Sequence, residues 1–113
     1  MALPNGYAQY NNSKILTASP AELTLMLYDG AIKFANIAVM GMEQNDIQKA
    51  HNNIIRVQRI IEEFRNTLDR KYPVAEDFDR IYVYLLKRLY EANVKKDKEI
   101  MEEVLTHLRS MRD

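Results

Sequence analysis

His51 and His107 are the only imidazoles in a 113-residue chain that has no cysteine. Any metal centre, acid–base pair or phosphorelay must therefore run through one of them or through carboxylates alone. A di-metal site inside a helical bundle asks for Glu-x-x-His on each of two helices, plus further inward carboxylates. Glu103 and His107 stand four apart instead of three, and nothing around His51 completes a partner motif. A phosphotransfer bundle needs less: one reactive, solvent-facing histidine on a helix. His51 follows Lys49 closely, but Ala50-His51-Asn52-Asn53 lacks the small residues and lysine that such chemistry places after its histidine. The remaining carboxylates fall at helix caps or at helical spacing to a base, as Glu91 does to Lys95. Solvated pairs of that kind contribute a few tenths of a kcal/mol each. No glycine-rich phosphate loop is present, and Ser19 and Ser110 have no base nearby in sequence. The expectation is a protein without catalytic residues, metal or cofactor. A signalling bundle using His51 is the alternative, and a metal-dependent bundle enzyme comes third.

Composition narrows the partners. Sixteen basic and 16 acidic residues give a formal net charge of +0, mixed along nearly every segment. Nucleic-acid affinity comes largely from phosphate neutralisation by a basic patch, so neither nucleic acid nor an anionic membrane is expected as a partner. The absence of cysteine suits a reducing compartment. Met1 to Tyr10 lacks the basic and apolar regions of a secretory signal. The longest apolar stretch, Leu23 to Met42, is interrupted by Asp29, Lys33 and Asn36. Charges at the centre of a spanning helix are costly, so this stretch reads as a buried helix, without membrane insertion, in a cytoplasmic protein.

The elements that would position these residues are helical. Residues 1–18 form an irregular opening segment, marked by Pro4, Gly6, Asn11, Asn12 and Ser13, yet they carry apolar Tyr7, Tyr10, Ile15 and Leu16. Residues 19–113 form one domain. Ser19-Pro20-Ala21-Glu22 is a capping box with proline at the first helical position. Helix 1 runs from there to about Met42, with Leu23, Leu27, Ala31, Phe34 and Ala38 as its seam and Leu25, Tyr28, Ile32 and Val39 flanking it. Asp46 caps helix 2, where Ile47, Ala50, Ile54, Val57, Ile61, Phe64 and Leu68 keep strict 3-4 spacing. Asp69 to Pro73 ends it. Helix 3 spans about Ala75 to Val94, with Phe78, Ile81, Tyr82, Leu85, Leu89 and Ala92 as its core seam. Asp97 caps a shorter helix 4 carrying Met101, Val104, Leu105, Leu108 and Met111. Four amphipathic helices on short links make an all-α, antiparallel up-down four-helix bundle.

One seam per helix closes such a core, and this chain has more than that. Helix 3 carries a second stripe, Val83, Leu86, Tyr90 and Val94, about 120° from the first. Helix 1 is apolar around some two thirds of its circumference by the same count. Spare apolar faces mark partner sites, and a groove between antiparallel helices accepts an amphipathic segment. The expected partner-binding residues are Tyr7, Tyr10, Ile15, Leu16, Leu25, Tyr28, Ile32, Val83, Leu86, Tyr90 and Val94. The same stripes leave a monomer or a weak homodimer open.

The run Tyr7-Ala-Gln-Tyr10, followed by Ile15-Leu-Thr-Ala-Ser-Pro20-Ala-Glu-Leu-Thr-Leu-Met-Leu-Tyr-Asp-Gly-Ala-Ile-Lys-Phe34, resembles the N-terminal signature of the flagellar secretion chaperone family FliS. Ile81-Tyr-Val-Tyr-Leu-Leu-Lys-Arg-Leu-Tyr-Glu-Ala-Asn93 is similar to that family's third-helix motif, and Arg109 to Asp113 to the start of its C-terminal ending. Tyr72 and Pro73 stand where many members carry a glycine pair. The resemblance implies a bundle that binds the disordered C-terminal segment of flagellin in the cytoplasm, masks it from premature assembly, and holds it for components of the export gate. It further implies that Tyr10 belongs to a segment covering the groove in the free protein, and that Tyr10, Leu16, Tyr28, Leu86 and Tyr90 anchor the ligand.

Overall fold

The structure is a computed structural model that describes residues 18–113. Tyr7, Tyr10, Ile15 and Leu16 lie outside the described residues. Helix α1, Pro20–Glu43, starts at the capping box: Ser19 Oγ accepts from the Glu22 amide at 3.2 Å, and Glu22 Oε1 accepts from the Ser19 amide at 3.3 Å. Asp46 caps α2, Ile47–Thr67, accepting from the Lys49 amide at 3.1 Å. Helix α3, Val74–Lys95, follows Pro73 and stops at Lys96, whose φ of 50° is left-handed. Asp97 then caps α4, Lys98–Arg112, through the amides of Glu99 and Ile100. Three of the four starts thus carry a side-chain cap, and α3 stops at a backbone reversal, which satisfies helix-end groups that have no internal partner.

Side-chain ties fix the directions. Lys98 at the start of α4 pairs with Glu43 at the end of α1 (2.8 Å), and Arg112 at the other end of α4 pairs with Asp29. Arg65 late in α2 meets Asp79 early in α3 at 2.7 Å, while His51 early in α2 meets Asn93 late in α3. Glu103 of α4 joins α3 through Arg88 Nε at 2.9 Å. All three pairs are antiparallel. Each helix packs on two others, in the ring order α1, α2, α3, α4, with α1 closing against α4. Among the described residues there is no strand. The bundle expected from sequence is the fold observed.

The core corrects two seams. On α1 the buried residues are Tyr28, Ala31, Ala35, Ala38 and Gly41, whereas Leu23, Leu27 and Phe34 are only half-buried. The cause is size. A Cβ on Gly41 would lie 2.8 Å from the Ala50 backbone nitrogen, so the backbones of α1 and α2 approach over hydrogens and methyl groups. Larger neighbours are turned to the flanks, where Phe34 lies beneath the Arg56 guanidinium at 5.4 Å. By length and composition α1 could cross a bilayer, but here its small-residue face is spent on α2. On α3, Phe78 and Ile81 are each 37% exposed rather than central. They occupy the opening turns, before Arg88 and Tyr84 fasten α3 to α4. Ile47, the first residue of α2, is also exposed. The remaining seams pack as expected: Ile54, Ile61, Leu85, Leu89, Met101 and Leu108 are fully buried.

Candidate docking groove

Helices α2 and α3 do not close completely over the core. Glu62 and Arg65 from α2, with Val83, Leu86, Lys87 and Tyr90 from α3, enclose a groove of about 360 Å³. Val83, Leu86 and Tyr90 recur at i, i+3 and i+7, so one α3 face supplies all the apolar lining. Leu86 is the floor at 8% exposure, and Tyr90 at 54% is an open wall. Val94 continues the stripe one turn on and stands almost free of the bundle.

Polar ties join α2 and α3 beyond both ends of the groove. Beyond Arg65, the guanidinium holds Asp79 and pulls its carboxyl below the ordinary carboxylate value, with Arg70 adding to the effect. At the other end Lys96 Nζ donates to Asn93 Oδ1 at 2.7 Å, so the Asn93 amide donates to His51 Nδ1 at 3.0 Å. His51 Nδ1 thus accepts a hydrogen bond and serves as an inter-helix tie.

The other anchors expected from sequence are dispersed. Leu25 is 40% exposed and Ile32 is half-buried. At 100° per residue both lie on the α1 side that carries Asp29 and Glu43, the two carboxylates paired with α4. That side is across the ring from the α2–α3 groove, so the two stripes line separate faces. Tyr28 is on neither. Its ring stacks on Phe64 with centroids 4.4 Å apart, its hydroxyl lies 3.0 Å from that of Tyr82, and burial pushes its ionisation far above the ordinary 10.0. It is an interior residue. Conversely, Glu62, Arg65 and Lys87 line the groove without having been singled out. Their signal was their place on the α2 and α3 faces beside the apolar stripe, which charge alone does not reveal.

The residues with the most chemical potential are occupied in structure. Glu103 accepts from the Tyr84 hydroxyl and from Arg88, and His107 Nε2 lies 3.7 Å from the same carboxylate. The hydrogen bond from Tyr84 and the Arg88 contact hold Glu103 below its ordinary value. Among the described residues, no three His, Cys, Asp or Glu side chains are grouped to hold a metal ion.

A helical bundle with an opening of apolar floor and charged rim offers a place where another chain could dock. The chain belongs to the FliS family: the model for flagellar protein FliS matches residues 3–113. The flagellar secretion chaperone FliS of Bacillus subtilis (strain 168) is 37% identical over 113 residues, which cover 100% of this chain and 85% of the relative. Its counterpart in Escherichia coli (strain K12) is 31% identical over 111 residues, 95% of this chain and 82% of the relative. That of Salmonella typhimurium (strain LT2) is 31% identical over 102 residues, 87% and 76% of the two chains.

Proposed function

We propose that this chain is a cytoplasmic export chaperone that binds the disordered C-terminal segment of flagellin, prevents its premature polymerisation and hands it to components of the flagellar export gate. The carrying observation is the α2–α3 groove, floored by Leu86 and walled by Val83 and Tyr90, in a member of the FliS family. A disordered partner loses chain entropy when it orders, about 2–5 kcal/mol of the gross interaction. Each large apolar side chain it fully buries returns about 1.5–3 kcal/mol. A few anchors are enough.

Val83, Leu86, Tyr90 and Val94 receive the segment on one side, and Leu25 and Ile32 on the opposite side, so a client that uses both runs around the bundle in extended form. Tyr7, Tyr10, Ile15 and Leu16, which lie outside the described residues, are further partner-binding residues in this reading. Tyr28 supports the site from beneath through its interior packing. The chain acts as a monomer or weak homodimer and needs no nucleotide, because the client leaves by competition at its next destination.

Calorimetric titration with a flagellin C-terminal peptide tests this reading. Binding with a negative heat-capacity change is expected; an absence of both heat and binding rejects it.

A further inference from the structure

Two polar side chains are buried in the described bundle, Asn53 and Gln58, each 5% exposed. Asn53 is satisfied, donating to the Lys49 carbonyl at 2.8 Å and accepting from Arg56 at 3.2 Å. Gln58 is not. Its Nε2 is the one buried side-chain nitrogen or oxygen without a partner among the described residues. A buried donor left unpaired costs more than a hydrogen bond returns, so each such group asks for an explanation. Packing offers none, since an apolar side chain of similar length would fill the same space.

Its position supplies one. Gln58 is seven residues from His51 and seven from Arg65, the two α2 residues that tie to Asn93 and Asp79. Leu86 is likewise seven residues from Asn93 and seven from Asp79. In an antiparallel pair held at both ends, those midpoints face each other, so Gln58 stands opposite the floor of the groove. It also precedes Glu62 by one helical turn and Arg65 by two, buried behind the residues that line the opening, so its amide must turn outward to reach a docked segment.

We infer that Gln58 is a specificity-determining residue of the groove: its amide donates to a main-chain carbonyl of the docked segment at the level of Leu86. The inference rests on the proposed flagellin reading and adds a conformational filter to it. A helical ligand has its carbonyls bonded internally except in its last turn, whereas an extended chain presents a free carbonyl at each residue. Gln58 therefore selects a client that is extended, or ending a helix, where it crosses Leu86. The free protein bears the unpaired donor, and binding relieves it.

Gln58→Leu, with Gln58→Met as a second variant should the first fold poorly, removes the donor and keeps the bulk. Against the flagellin C-terminal peptide, both should bind about tenfold more weakly than the parent, while the free variants melt at a higher temperature. In the parent, the Gln58 side-chain amide proton signals, assigned by their loss in the variants, should move downfield and exchange more slowly on peptide addition. Equal affinities, or signals that stay in place while affinity falls, would overturn the role of Gln58 and leave the flagellin reading intact. A parent protein that ignores the peptide would bring down both.

Discussion

The hydroxyls of Tyr28 and Tyr82, 54 residues apart in the chain, meet 3.0 Å apart inside the bundle. With Phe64 stacked between their rings, at 4.4 Å from one and 5.5 Å from the other, they join α1, α2 and α3. The contact is a polar bond in an otherwise apolar interior, and such bonds are most visible when half of one is removed.

Tyr82→Phe should therefore destabilise the fold by about 1–3 kcal/mol, because the Tyr28 hydroxyl is left buried without a partner. The double variant Tyr28→Phe/Tyr82→Phe should regain most of that loss, since an all-apolar pair leaves nothing unsatisfied; urea denaturation of the three proteins checks this. The pair also has an alkaline signature. Burial lifts both phenols above their ordinary 10.0, so between that value and the folded one the native state holds protons that the unfolded chain releases. Stability is then full below pH about 10 and declines as pH rises beyond it. The double variant should lose that slope.

Two glycines of α1 should respond in opposite directions to the same change. A Cβ on Gly41 meets the Ala50 backbone at 2.8 Å, whereas one on Gly30 meets only the Ile60 Cδ1 atom at 3.7 Å. Gly41→Ala should cost about 1–3 kcal/mol by forcing α1 and α2 apart. Gly30→Ala should gain up to about 1 kcal/mol from helix propensity. Thermal melts of the two variants beside the parent distinguish the signs.

Tyr90 is exposed in the free protein yet walls the groove, which separates folding from binding. Tyr90→Ala should shift stability by no more than about 0.5 kcal/mol. Its affinity for the flagellin C-terminal peptide should fall about tenfold, as expected for an aromatic anchor. Fluorescence anisotropy with a labelled peptide reads the loss.

Much of this architecture can be read from residue types alone. Ser19, Asp46 and Asp97 declare three helix starts because each carries an oxygen that only a helix end can use. The 3-4 spacing of Ile54, Val57, Ile61 and Phe64 declares a buried face. What escaped was rotation. Ala31 and Ala38 are buried as the seam expects, but leucines outweigh alanines in any hydrophobic tally, so Leu23 and Leu27 look central on α1, while tight backbone approach favours Ala35 and Gly41. Tyr28 was misplaced for the same reason: its ring is inside, and its hydroxyl is tolerated there only because Tyr82 answers it from another helix. The stripe of Val83, Leu86 and Tyr90 was legible as surplus, but its rim of Glu62, Arg65 and Lys87 depends on register between α2 and α3, which no single helix encodes.

The near-contact of Gly41 with Ala50 reaches further than the pair itself. With α1 and α2 drawn together over hydrogens and methyl groups, that junction has no slack, and bulkier side chains must find room at the other junctions of the ring. The spacing of α1 and α2 is thus set by the smallest residues in the chain, and the bulk displaced from it falls to the junctions α1 makes with α4 and α2 with α3.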